Sequence, residues 1–142
     1  MMDRALLQKK LAFIETCVRE LKELARPEHL ESDVRERRFV EHTLQLAIQA
    51  ALDAASHWVS ARRLGEPESN RQLFFLLARD DVIESDLAEV LAAMAGFRNI
   101  LVHGYQSVDP AKIRLILTDH LNDLEVFCKA MACAVRKASG NS

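Results

Sequence analysis

The stretch VEHTLQLAIQAALDAASHWV, residues 40–59, decides the fold because its apolar residues recur every three or four positions without a glycine or proline. This spacing places the apolar side chains on one face of a helix. The face consists of Val40, Leu44, Ala47, Ile48, Ala51, Ala55, Trp58 and Val59. The stretch therefore predicts a long helix with one buried face.

The sequence on the N-terminal side of this stretch predicts a first helix that stops before Pro27. Its buried face is Leu7, Leu11, Ile14, Val18, Leu21 and Ala25. The segment PEHLES then forms a linker, and Ser32 or Asp33 caps the long second helix with Glu36 in capping-box position. The second helix is predicted to end near RRLGEPES, where glycine and proline break the pattern.

Two further helices are predicted before residue 104. NRQLFFLLARD, residues 70–80, is short, and ESDLAEVLAAMAGF, residues 84–97, starts again with Ser85 or Asp86 as the cap and Glu89 behind it. The core face of this later helix is Leu87, Val90, Leu91, Met94, Phe97 and Leu101. We expect it to end at Gly104, the first glycine after residue 96.

Asp109 and Pro110 have the residue types preferred at a helix N-cap and first position, and they predict the start of a last helix. Its face is Ile113, Leu117, Leu121, Leu124, Cys128, Met131 and Val135, and the tail ASGNS is expected to fray. Residues 1–142 thus form a single all-α domain. The predicted architecture is an up-and-down antiparallel bundle of four main helices plus one short helix.

Composition excludes several classes of protein. The chain has 142 residues, 49% hydrophobic and 28% charged, and a formal net charge of -2, which argues against a protein that coats nucleic acid. Cys17, Cys128 and Cys133 are too few and too irregularly spaced for a disulfide framework or a zinc knuckle, so they are interpreted as buried thiols in a reduced compartment. No apolar run is long enough for a membrane span, and we expect a cytoplasmic protein.

The stretch GFRNILVHGYQS, residues 96–107, gathers four polar functional groups against an apolar background. On a helix Asn99 and His103 share a face, whereas Arg98 and His103 lie about 140° apart. They converge only if the helix loosens at its end, which Gly104 allows. Arg98, Asn99 and His103 would then border one shallow site, with the only tyrosine, Tyr105, just past it.

The segment RNILVHGY resembles the arginine, four residues, histidine, one residue, tyrosine signature of HEPN-domain toxins of the HepT type. These toxins are ribonuclease partners of MNT-type minimal nucleotidyltransferase antitoxins. Residues 40–59 and 81–105 also resemble the family's second helix and its approach to the motif, so the resemblance covers roughly residues 35 to 130. It implies a homodimer whose two motifs face a common groove, an RNA substrate (tRNA or mRNA), and no metal or other cofactor.

The implied activity is endoribonuclease cleavage, in which the RNA 2′-OH is the nucleophile. His103 would be the general base, since the imidazole of histidine exchanges protons near neutral pH. Arg98 would grip two phosphate oxygens as negative charge builds on them, and Asn99 would orient His103 or donate to the phosphate. The resemblance further implies that the antitoxin adenylylates Tyr105, adding bulk and negative charge where the RNA phosphate must sit.

Structural interpretations of the same motif residues remain open. Arg98 and His103 have the residue types that favour the negative end of a helix dipole, and Asn99 is a common cap. Tyr105 could be an interface or core-rim residue. The alternative function is a non-catalytic HEPN-like helical module that binds a nucleotidyltransferase.

Other polar residues are interpreted as surface groups. His29 lies in the linker and is expected to be solvated. His42, His57 and His120 lie on predicted helices, where any second ligand at metal spacing is equally well explained as a surface residue. Asp53 and His57 are expected to form a contact along one helix face. Arg35, Arg37 and Arg38 could extend an RNA track but stand among Glu31, Asp33, Glu36 and Glu41, which favours a mixed solvated face. Trp58, Phe74 and Phe75 are predicted to be core or dimer contacts.

Overall fold

A computed structural model describes residues 2–103 and 108–140, and within these ranges it contains helices and no strand. The helices are α1 (Arg4–Leu24), α2 (Val34–Ala61), α3 (Asn70–Arg79), α4 (Ser85–Val102), α5 (Pro110–Leu115) and α6 (Leu121–Ala138). A π-helical segment, Ile116–His120, joins α5 to α6, and a 3₁₀ turn, Pro27–His29, lies between α1 and α2. Since α5 and α6 make one interrupted helix, the prediction of four main helices and one short helix is confirmed.

The four main helices form a closed ring of contacts in which α1 packs on α2, α2 on α4, α4 on α6 and α6 on α1. The short α3 covers α2 and α4. The Asp3 backbone N–H donates to Nε2 of His57 at 2.8 Å, so the start of α1 meets the end of α2. Cys128 Sγ similarly approaches the Leu11 carbonyl oxygen at 3.6 Å. The first contact makes α1 and α2 antiparallel, and the second, together with the ion pair between Lys22 and Glu125, makes α6 antiparallel to α1, as predicted.

The buried face of α2 is the centre of the core. It contains Leu44 and Ile48, which are almost fully buried, and a series of alanines whose small side chains let α1 and α4 approach closely. Those alanines are Ala47, Ala50, Ala51, Ala54 and Ala55. None of the helices in residues 2–103 and 108–140 is both long and apolar enough to cross a membrane.

Two of the predicted helix starts have different outcomes. Asp33 caps α2 as expected, with its side chain accepting from the Arg35 N–H at 2.9 Å. Glu36 does not close the capping box, because its carboxylate accepts from the Arg26 N–H at 2.6 Å instead. The expected cap of α4 at Ser85 or Asp86 is wrong: Ser85 is already helical, and the extended residue before it, Glu84, is the cap and makes no side-chain capping bond.

The last helix differs from the sequence prediction at the π segment. A regular α-helix would place Leu117 on the buried face, yet Ile116 is buried and Leu117 is only half buried. The π turn holds more residues than an α turn, so it rotates the preceding residues about the helix axis. The starting pair Asp109 and Pro110 is confirmed, since Asp109 Oδ1 accepts from the Ala111 N–H at 2.9 Å.

The start of the last helix is tied to the connection between α1 and α2. Arg114 Nη2 donates to the Pro27 carbonyl at 3.0 Å and to Glu31 Oε1 at 2.6 Å. The hydrogen bond from Arg114 holds the pKa of Glu31 below its usual value. In the same connection, the predicted linker PEHLES contains the fully buried Leu30. The connection between α1 and α2 is therefore held by Arg114 and by the burial of Leu30.

The three cysteines do not share one environment. Cys17 and Cys128 are buried as predicted, and burial raises the pKa of their thiols to about 11 and about 12. Cys133 is only half buried, so the prediction of a buried thiol is wrong at this position. It lies on the side of α6 that borders the end of α2.

Replacing Leu44 tests the central role of α2. Leu44→Ala removes a fully buried side chain and should lower the free energy of unfolding by about 2–5 kcal/mol. Urea unfolding followed by circular dichroism measures this loss. The matched control is Leu24→Ala, since Leu24 is 58% exposed at the end of α1 and should cost less than about 0.5 kcal/mol. Equal losses for both variants would contradict the assignment of α2 to the core.

Candidate functional site

The polar motif lies at the C-terminal end of α4, next to the N-terminal half of α2. Leu101, in the last turn of α4, lines a depression of about 500 Å³ together with Arg38, His42 and Gln45 of α2. The start of α1 and the end of α2 are at the other end of the bundle. The motif therefore occupies one end, where α4 and α2 meet.

Arg98 continues the core-facing side of α4 to the bundle surface. It follows Leu91 and Met94, both buried, by seven and four residues, which keeps it on the same face. Its Nε atom is buried and finds no acceptor among the described residues, while Nη1 donates to Asn99 Oδ1 at 3.3 Å. Arg98 thus emerges from the core with one N–H steadied by the neighbouring amide.

The positive charge of Arg98 has no carboxylate partner within residues 2–103 and 108–140. None of the ion pairs in residues 2–103 and 108–140 includes it. The residues outside those ranges contain no aspartate or glutamate side chain. A guanidinium without a carboxylate and with a buried, unbonded Nε–H is suited to bind an anion, because a planar fork can give two hydrogen bonds to one oxyanion.

His103 is exposed and follows the last helical residue, Val102. Its backbone N–H donates to the Asn99 carbonyl at 3.0 Å, the regular helical bond, so α4 does not loosen before His103. The loosening expected at Gly104 lies outside the described residues and stays a prediction. Arg98 and His103 remain about 140° apart around the helix. The structure brings Arg98 to Asn99, and no hydrogen bond joins either side chain to the His103 imidazole.

The predicted end of α4 is close to the observed one. The helix ends at Val102, within two residues of the expected Gly104. Gly104 itself and Tyr105 lie outside the described residues. The predicted place of Tyr105 beside the site, and its interpretation as a core-rim residue, stay predictions.

Several other polar residues have roles in holding the fold. The expected contact between Asp53 and His57 is wrong: Asp53 binds Lys10 Nζ at 3.0 Å and Gln49 Nε2 at 2.8 Å, while His57 accepts from the start of α1. His120 is paired with Asp123 at 2.9 Å. Within the described residues, no group of three or more His, Cys, Asp or Glu side chains is placed to hold a metal ion.

The three aromatic residues expected in the core or a dimer contact differ. Trp58 and Phe74 are buried, and the Trp58 indole N–H donates to Asp80 Oδ2 at 2.9 Å. The Phe74 ring meets that of Phe127 edge to face at 5.9 Å. Phe75 is 41% exposed and so is not a core residue. Trp58 and Phe74 therefore have packing roles, whereas Phe75 remains available for a surface contact.

Sequence reasoning missed the position of Arg38 and His42 beside the motif. Their spacing of four residues on α2 indicated a shared helix face. Nothing in the sequence showed that this face borders the last turn of α4. That proximity depends on the packing of α2 against α4.

Comparison with known proteins identifies a family and named relatives of this chain. The family model described as Ribonuclease HepT-like matches residues 14–131. A protein named mRNA nuclease HepT from Shewanella oneidensis is 32% identical over 119 residues, covering 83% of this chain and 90% of the relative. One named tRNA nuclease HepT from Aphanizomenon flos-aquae is 30% identical over 89 residues, covering 63% of this chain and 60% of its own length.

Solved structures show the same architecture. The tri-AMPylated Shewanella oneidensis HEPN toxin, in complex with an MNT antitoxin, is 30% identical with a TM-score of 0.84, covering 94% of this chain and 99% of the toxin. A chain from a toxin-antitoxin crystal structure with AMP-PNP is 28% identical with a TM-score of 0.85, covering 91% and 98%. The cytosolic protein YutE from Bacillus subtilis shares the fold, with a TM-score of 0.89 at 18% identity over 99% and 96% of the two chains.

Proposed function

Because the chain belongs to the HepT-like ribonuclease family, we propose that it is the toxin of a type II toxin-antitoxin system and that it cleaves RNA internally without a metal ion. Arg98 and His103 are the catalytic residues of this proposal, and Asn99 assists them. The observation that carries it is the Arg98 guanidinium, which lies beside Asn99 and has no carboxylate partner in the part of the chain that the structure describes. Such a group is suited to the phosphate of an RNA strand.

Cleavage uses the nucleophile that RNA itself supplies. His103 removes the proton of a 2′-OH, the 2′-oxygen attacks the adjacent phosphorus, and the bond from phosphorus to the 5′-oxygen breaks. The leaving 5′-oxygen takes a proton, and the products are a 2′,3′-cyclic phosphate and a 5′-OH. Arg98 binds the phosphate oxygens as their negative charge increases. Asn99 holds the guanidinium through Oδ1 and so fixes the direction of its remaining N–H groups.

A second copy of the chain completes this site. One chain has one His103, yet the reaction needs both a base and an acid, and His103 points about 140° away from Arg98 on α4. An exposed apolar surface lies beside His103, with Ile100 49% exposed about 60° away around the helix. Next to it, Phe97 and Leu115 line an apolar groove of about 360 Å³ between α4 and α5. A homodimer formed through this surface supplies the second imidazole.

Variants of the two catalytic residues test the reaction. Arg98→Ala and His103→Ala should each reduce RNA cleavage by about 100-fold or more and relieve growth arrest, because each removes a group needed in the transition state. Cleavage is measured with purified protein and sequencing of the fragment ends, which should carry cyclic phosphates. Arg71→Ala, a change of an exposed arginine on α3, should cleave like the wild type. Full cleavage by Arg98→Ala or His103→Ala excludes the proposal.

The same assay decides between an enzyme and the alternative function, a helical module that only binds a nucleotidyltransferase. Expression of the wild-type chain alone should stop growth and fragment RNA. A chain that is harmless, leaves RNA whole and carries an unmodified Tyr105 would favour the binding module. The motif would then be a partner contact.

Mixing subunits tests the shared site. When wild-type protein exchanges subunits with the His103→Ala variant, mixed dimers hold one imidazole where the reaction needs two. Cleavage should therefore fall faster than the fraction of wild-type chains. The control is the same mixture made with Arg71→Ala. A loss strictly proportional to dilution would show that each chain works independently.

Regulation by an MNT-type nucleotidyltransferase antitoxin completes the proposal. The Tyr105 hydroxyl attacks the α-phosphorus of ATP, pyrophosphate leaves, and the tyrosine retains AMP. The added phosphate repels RNA and occupies the place next to Arg98 and His103. The tri-AMPylated state of the Shewanella oneidensis HEPN toxin supports this kind of control.

Co-expression with a cognate MNT-type nucleotidyltransferase antitoxin tests this regulation. Mass spectrometry should find AMP on Tyr105, and the modified toxin should not cleave RNA. Tyr105→Phe keeps the ring but cannot accept AMP, so it should remain active beside the antitoxin. A fully silenced wild-type toxin with unmodified Tyr105 would refute the adenylylation mechanism.

A further inference from the structure

We propose that Arg38 and His42 of α2, with Arg35 behind them, form a second phosphate-binding surface that holds single-stranded RNA leading away from the motif. This inference rests on the proposed ribonuclease function and adds a substrate contact outside the motif. Arg38 and His42 are both exposed, and they are separated by one helical turn. With Leu101 of α4 they line the depression of about 500 Å³ described above.

The depression between α2 and α4 lies close to Arg98 of the motif. Leu101 follows Arg98 by three residues, about 60° away around α4, and borders the same depression as Arg38 and His42. Asn99 and His103 lie about 160° from Leu101, on the other side of the helix. An RNA strand with one phosphate at Arg98 passes this depression if it continues across the bundle end from α4 to α2. The depression is open, so a flexible strand can enter it without a change in the fold.

The arginines at the start of α2 carry positive charges that no ion pair neutralises in the described residues. Arg35, Arg37 and Arg38 form no ion pair among the described residues. Arg35 and Arg38 share a stripe of α2 with His42, at spacings of three and four residues, and Gln45 and Gln49 continue that stripe. Glu41 lies at the edge of this stripe and lines the same depression, and the next carboxylate along it is Asp53, whose oxygens bind Lys10 and Gln49.

Acidic residues lie among these arginines in the sequence. Glu31 binds Arg114, Asp33 caps α2, and Glu36 accepts from the Arg26 N–H. Only Glu41 of this group has no such hydrogen bond in the described structure, and it lines the depression beside Arg38. Three carboxylates are thus directed to the connection between α1 and α2. The expected mixed solvated face thus keeps one carboxylate, Glu41, beside its arginines, while none of the three guanidinium groups forms an ion pair in the described part of the chain.

The chemistry of this surface favours a single-stranded nucleic acid. Guanidinium groups bind phosphates by paired hydrogen bonds, and Phe39, half buried in the same depression, offers an apolar contact to a base or sugar. Glu41 opposes an anion at one side of the depression, so the strand is expected to pass on the side of Arg38 and His42. An acidic surface of a partner protein is the competing ligand, and the experiment distinguishes it from RNA.

Binding to an RNA that cannot be cleaved separates this contact from catalysis. The probe is a fluorescent single-stranded oligonucleotide with every 2′-OH methylated, titrated against the full chain at several salt concentrations. Arg38→Ala should weaken binding about tenfold and reduce the slope of log affinity against log salt by about 0.7, the value for one lost phosphate contact on a single strand. His42→Ala should weaken binding less, and Arg38→Glu more than Arg38→Ala. Arg71→Ala is the matched control and should bind like the wild type.

Cleavage kinetics give the second measurement. Because Arg38 touches the strand away from the reacting phosphate, Arg38→Ala should raise KM about tenfold and leave kcat near the wild-type value. If the wild-type chain cleaves RNA, and Arg38→Ala and Arg38→Glu bind RNA as tightly as the wild type with the same KM, this inference is overturned. The ribonuclease proposal would still stand. Loss of antitoxin binding in Arg38→Ala with unchanged RNA binding would assign the surface to a protein partner and overturn this inference too. Absence of any cleavage or RNA binding by the wild-type chain would reject both proposals.

Discussion

The burial of one face of α2 is the interaction on which the rest of the structure depends. Its leucine and isoleucine side chains fill the core, and its alanines allow α1 and α4 to lie close on either side. Close packing fixes the rotation of α4 about its own axis, because the buried residues of α4 must face α2 and α3. The direction of every later side chain on α4, including those of the motif, follows from that rotation.

Packing of the core fixes the position of Arg98 in the motif but not that of His103. Arg98 lies on the buried side of α4, so the fold controls its position and deprives its Nε atom of water. His103 follows the helix end and projects into solvent. The arrangement gives a well-held guanidinium and a separate imidazole within one chain. A reaction that uses both groups on one phosphate is therefore best explained by two chains acting together, as in the proposed homodimer.

The fold could be predicted from the sequence because the apolar spacing of the helices is long and regular. The exceptions are local: Glu84 caps α4 in place of a better capping residue, and Ile116 replaces Leu117 in the core. Candidate motif residues could be chosen from their chemistry and spacing. Their geometry could not, because helix rotation and the partners of Asp53, Glu31 and Glu36 depend on contacts between residues distant in the sequence. The same contacts placed Arg38 beside Leu101.

The π segment between α5 and α6 sets the rotation of α5 relative to α6, and with it the position of Arg114. A change that converted the π turn of Ile116–His120 to regular α-helix without removing a residue would rotate α5 by about 100° relative to α6. Arg114 would then leave Pro27 and Glu31, and the connection between α1 and α2 would lose its tether. Loss of the π turn is thus a means by which the connection next to Arg35 and Arg38 can change without any substitution in α2.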